Sequence, residues 1–295
     1  MALSQIADRV NSVLLVDPLP ALPVLAGGGA YALRVRTLRR RGRAPAVRKQ
    51  VWFWAGIVVL LAALLPPIDT TSDTKFWVHM GQHLLLGDIG PLLIVLGLDR
   101  ALLRPLLAAG GAWHLRFAAS PLFALPCWIV VLSAWHLSAP YDAALHHAWV
   151  HALEHLSFFL AGALMWAAVV EPLPGPDWFG TGAKAVYTLV IRAVGAGIAS
   201  VFIWSNSPFY DGYSVHDQRI GGLIMFTEGG IVTLLVFAWL FLRWSAEAER
   251  RQQLIEQGHD PELARRTARH WPRLQQPPGP PRSAPSRAAP DRRSE

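Results

Sequence analysis

Between Asp142 and Pro172 the chain carries an apolar stretch with His147, His151 and His155 set into it at intervals of four. Residues four apart on an α-helix advance about 400°, so they drift only about 40° per step and keep to one face. The stretch is long enough to cross a hydrocarbon core of about 30 Å. Three imidazoles and Glu154 on one side of a membrane span are expensive to bury unless they hold something.

The rest of the composition agrees with a membrane. Of 295 residues, 53% are hydrophobic and 16% charged, well under the roughly 25% charged residues of an average soluble domain. The basic residues lie in loops between apolar runs and in the C-terminal stretch, which is where topology determinants belong, so the net charge of +7 does not point to nucleic acid. Cys127 is the sole cysteine, which excludes an intramolecular disulfide and a CxxC metal-handover motif. The N-terminus lacks the basic region and the small-residue cleavage site of a signal peptide.

Seven apolar runs follow one another, at 19–34, 51–66, 76–97, 118–138, 147–170, 183–205 and 220–243. They predict an all-α integral membrane protein, a bundle of about seven transmembrane helices, with a re-entrant or interfacial segment as the alternative for the first run, which carries Gly27-Gly28-Gly29. An N-terminal segment over 1–18 precedes the transmembrane domain over 19–243. A charged, helix-prone tail over 244–271 follows, with a short helix capped by Asp260 and opened by Pro261. Residues 272–295, rich in Pro, Arg, Ser and Ala, have no core-forming pattern and read as disordered. Arg34 to Lys49 holds eight basic residues and no acid, which places that loop in the cytoplasm. With seven crossings the N-terminus lies outside and the C-terminus inside.

On that topology the histidines fall on one side. His79 and His83 sit near the outer end of the third run, His136 at the outer end of the fourth, and His147, His151 and His155 down the fifth, with His216 just before the seventh. Met225 and Glu228 follow in the seventh. His79, His83, His151, His155, Met225 and Glu228 share a depth of roughly 4–13 Å below the outer boundary at 1.5 Å per residue. His79/His83 and His151/His155 both have the i,i+4 spacing by which two imidazoles hold one metal. Imidazole suits copper, zinc, iron and nickel alike; the thioethers of Met80 and Met225 would add a preference for Cu(I). Asp142, Glu154 and Asp217 stand near enough in sequence to orient imidazoles, and His136, His147, His216 and Glu228 are accessory candidates. Asp88 and Arg192, each roughly 18–20 Å from the outside, are expected to form a buried ion pair. On a straight helix Asp88 lies about 180° from His79 and 140° from His83, which assigns it to a different neighbour. No nucleophile–base pair stands out, so an enzyme is not expected.

Four stretches, FWVHMGQHLLLGDIGPLLIVLG (76–97), WHLSAPYDAAL (135–145), VHALEHLSFFLAGALMW (150–166) and DQRIGGLIMF (217–226), together resemble the CtaG-like cytochrome c oxidase assembly factors found with caa-type oxidases. The likeness covers roughly 50–243. It departs from the family pattern at Phe226 and Thr227, where Trp is expected, and adds Glu228. The resemblance implies a multi-span protein of the bacterial cytoplasmic membrane that helps mature the oxidase. It further implies copper passed, directly or from an outer-side donor, to the oxidase subunit carrying the catalytic copper centre. His79, His83, His151, Glu154, His155, Asp217 and Met225 fall on the matching motifs. Read from residues alone, two rivals stand beside it: a haem-binding electron-transfer protein with axial imidazoles, and a zinc-dependent seven-span hydrolase.

Overall fold

The computed structural model describes residues 20–173 and 175–274, so the expected segment 1–18 and the tail beyond 274 lie outside the described residues. Every regular element among the described residues is helical. In order these are α1 (Ala21–Arg40), α2 (Val47–Leu64), α3 (Ile68–Ser72), α4 (Phe76–Leu84), a π-turn (Leu85–Ile89), α5 (Gly90–Leu96) and α6 (Arg100–Leu106). A second π segment (Leu107–Gly111) leads into α7 (Ala112–Ala118), α8 (Pro121–Trp135), α9 (Ser138–His146), α10 (Ala148–Val170), α11 (Thr181–Trp204), α12 (Val215–Glu256) and α13 (Pro261–Leu274).

Of the seven expected crossings, five or six are supported by helix length and composition. Five helices are long and apolar enough to cross a membrane: α2, the α4–α5 run, α10, α11 and α12. A sixth exists if α8 and α9 act as one broken span, but they meet at 71°. The run at 118–138 therefore does not continue straight; α8 ends at Trp135 and α9 turns away at Ser138. The first run lies in α1, which is not among these five; its three consecutive glycines and the arginines of its last turns make it less apolar than they are.

Helix α10 is the central element, packed against α8, α9, α5 and the π-turn, while α2 lies along α5 and α1 along α2. The approach is closest where Gly162 faces Gly87. A Cβ on Gly162 would lie 1.8 Å from the Gly87 carbonyl oxygen, so only hydrogen fits there. That contact sets the histidine face of α10 against the histidine face of α4.

The π-turn changes which side chains share a face. Its i→i+5 bonding inserts one extra residue and takes back about 100° of helical rotation. The 140° between His83 and Asp88 shrinks to roughly 40°, and the two line the same cavity. Even so, Asp88 is engaged by Arg192 and Trp166 and lies outside the four-donor set, as expected of a residue with its own neighbour.

The chain forms two compact units, Met1–Phe237 and Ala238–Glu295. In the second, Arg243 Nε donates to Glu247 Oε1 over 2.9 Å one turn along α12. Asp260 Oδ1 accepts from the backbone N–H groups of Glu262 and Leu263 at 2.9 and 3.0 Å, capping α13. That helix runs to Leu274, past the point where its sequence pattern suggests it ends.

Candidate metal centre

The helix bearing His79 and His83 starts at Phe76, and its preceding residue, Lys75, supplies no side-chain cap. The cap comes instead from the far end of the chain. Asp217 Oδ2 accepts from the Phe76 N–H at 3.1 Å and Oδ1 from the Trp77 N–H at 3.3 Å. A carboxylate satisfies the free N–H groups of a helix start and complements its positive end. Asp217 thus acts on backbone, not on an imidazole. Its neighbour Gln218, buried, accepts from the Phe209 N–H at 2.9 Å and donates to the Tyr210 carbonyl at 2.9 Å, fastening the preceding loop.

That loop roofs the histidines with aromatic rings. Tyr210 stacks on Tyr141 at 4.0 Å and donates its hydroxyl to the His136 carbonyl at 2.8 Å. Burial holds the Tyr210 phenol above its ordinary pKa. Tyr141 in turn lies 5.3 Å from His79, ring to ring.

Beneath the roof, His79, His83, His151 and Glu154 each offer a ligand atom, and these atoms lie within 4.8 Å of one another. His79 and His151 stack at 5.7 Å across the two helices, and His83 Nε2 stands 3.6 Å from Glu154 Oε1. Both ring nitrogens of His79 and His83, both carboxylate oxygens of Glu154 and Nε2 of His151 are buried without a hydrogen-bond partner. Native interiors seldom leave polar atoms so exposed to loss, because each costs about 1–3 kcal/mol. A cation at the centre of the four would satisfy them together. The donor set of three imidazoles and a carboxylate fits a metal ion such as copper or zinc.

His155 lies 4.2 Å from His151 and 5.6 Å from His83 by ring centroids, beside the four donors, and its buried Nε2 has no partner. Met225 and Met80 are buried in the aromatic cluster of Phe76, Tyr141, Phe202 and Tyr210. His136 is buried, with Nδ1 2.7 Å from the Leu132 carbonyl. Asp142, His147 and His216 are exposed, away from the four-donor set.

A cavity of about 340 Å³ opens from His83 toward the deeper charges. Met80, His136 and Met225 line it together with Asp88, Arg192 and Glu228. Arg192 Nη1 is paired with Asp88 Oδ2, Glu228 Oε2 lies 3.9 Å from the same nitrogen, and Trp166 Nε1 donates to Asp88 Oδ1 at 2.8 Å. Trp166 also faces the guanidinium at 5.5 Å. Sequence reasoning passes over Trp166, Tyr141 and Gln218. A buried indole in the same span as the histidines is a signal for the first, and the YD and DQ pairs for the others.

A family model described as cytochrome c oxidase caa3 assembly factor matches residues 29–247. An uncharacterized protein of Mycobacterium leprae is 25% identical over 273 residues, covering 82% of this chain and 41% of that protein. One of Mycobacterium bovis is 24% identical over 281 residues, covering 85% of this chain and 42% of its own length. The chain therefore spans well under half the length of these relatives. No solved structure matches.

Proposed function

The chain belongs to the cytochrome c oxidase caa3 assembly factor family, and on that premise we propose that it holds copper in the membrane and hands it to the oxidase's catalytic copper subunit. The observation that supports this reading is the convergence of His79, His83, His151 and Glu154 with their buried ligand atoms unpartnered. The protein works in the bacterial cytoplasmic membrane with its N-terminus outside and its C-terminus inside. The arginine-rich loop 34–49 supports that orientation, which puts the histidines in the outer half. Seven crossings require α1 and the α8–α9 pair each to pass through.

Copper is cargo here, and the role is non-catalytic. A handover site must release what it holds. Neutral imidazoles with one carboxylate bind firmly enough to select a transition metal and leave the affinity tunable through protonation and ligand exchange. Asp217 and the Tyr141–Tyr210 roof hold the site's outer side in register. Glu154 in the donor set also favours a second reading, zinc bound by three imidazoles and a carboxylate. The two readings part on the metal retained.

The test replaces His79, His151 or Glu154 (His79→Ala, His151→Ala, Glu154→Gln) in a host whose oxidase depends on this factor. Each variant is expected in the membrane at wild-type level, with oxidase activity and oxidase copper both reduced at least tenfold. Full oxidase copper in all three would overturn the reading.

A further inference from the structure

His83 has two sides. One faces the donor set just described; the other faces the cavity, and the lone pairs gathered there are of a softer kind. The Nδ1 of His136 lies 2.7 Å from the Leu132 carbonyl, so that nitrogen carries the proton and Nε2 keeps the lone pair. That Nε2 is buried without a partner, and His136 lines the cavity. The buried methionines Met80 and Met225, two of the chain's four, line it as well. The same cavity holds the carboxylates of Asp88 and Glu228 around the guanidinium of Arg192.

We propose that the cavity side of His83 is a second metal position, in which His136 Nε2 and the thioethers of Met80 and Met225 hold a soft monovalent cation of the Cu(I) class. Imidazole and thioether together select Cu(I) over zinc, whereas the His79, His83, His151 and Glu154 set accepts either. His83, with both nitrogens free, stands between the two positions and serves as the shared ligand through which the ion steps. The pair of positions makes the protein a two-stop relay: a harder stop that receives the ion and a softer one beside it that takes it onward. This inference rests on the copper reading and adds to it a second stop and its donor atoms.

The experiment is a Cu(I) titration of the full-length protein in detergent, with X-ray absorption on the loaded sample. The wild type is expected to bind two equivalents and show sulfur in the copper shell. The double variant Met80→Leu, Met225→Leu, close in volume to the original pair, and separately His136→Gln, should each drop to one equivalent. The methionine variant should also lose the sulfur signal. The equivalent they keep should be the one that His79→Ala and His151→Ala remove. A wild type that binds one equivalent through nitrogen and oxygen alone overturns the second position and leaves the first standing. Methionine variants that still bind two equivalents with unchanged spectra overturn it as well. A wild type that binds no copper overturns both.

Discussion

Replacing Gly162 with alanine tests whether the closeness of α10 to the π-turn holds the donors together. The added Cβ would meet the Gly87 carbonyl oxygen at 1.8 Å, whereas ordinary contact begins near 3.4 Å. The two backbones must part by the difference, roughly 1.6 Å, because neither partner has a side chain that can swing away. Overpacking of this kind costs about 1–3 kcal/mol in well-packed interiors. Here the displacement also falls between His83 on one helix and Glu154 on the other, now 3.6 Å apart. Gly162→Ala should therefore lower the melting temperature in detergent by several degrees and weaken copper retention about tenfold or more. Gly197→Ala is the control, since a Cβ there meets nothing within 4 Å. Thermal unfolding followed by intrinsic fluorescence, with copper content measured on the same samples, reads both effects. If Gly162→Ala behaves as Gly197→Ala does in both, the close approach does not position the site.

Removing the cap with Asp217→Ala frees the N–H groups of Phe76 and Trp77; the expected loss is about 1 kcal/mol of stability, with copper binding weakened severalfold and measured by competition with a chromophoric chelator. Arg192→Leu leaves Asp88 and Glu228 buried with no cation, a penalty of about 3–5 kcal/mol, so the variant should accumulate poorly in membranes, and Asp88→Asn in the same chain should recover part of the yield. His147→Ala and His216→Ala remove exposed imidazoles outside the donor set, and copper content by elemental analysis should match the wild type.

The two histidine pairs are legible in the sequence because four-residue spacing is a local rule of the helix, and the shared depth follows from counting residues inward from a loop. What the chain does between helices is not local. Asp217 looks like a partner for imidazoles, yet its carboxylate reaches across 141 positions to cap the start of α4. Asp88 is off the histidine face by ideal helical counting and does pair elsewhere, with Arg192, but the π-turn over Leu85–Ile89 that sets its direction is not legible in the sequence. Met225 sits at the depth expected of a ligand, and the aromatic rings that pack against it at the cavity wall follow from no local pattern. Helix α1 is long enough to cross but less apolar than the five candidate spans, since length and hydropathy are separate conditions. The membrane class, by contrast, is written into bulk composition and needs no geometry.

The central claim is that His79, His83, His151 and Glu154 hold copper. Elemental analysis of full-length protein purified from copper-replete cells, beside His79→Ala and His151→Ala prepared in parallel, measures it most directly. The account predicts copper in the wild type at or above one equivalent, in excess over zinc and iron, and a fall to a small fraction of that in both variants. Equal copper in all three preparations, or zinc as the dominant metal in the wild type, would contradict it.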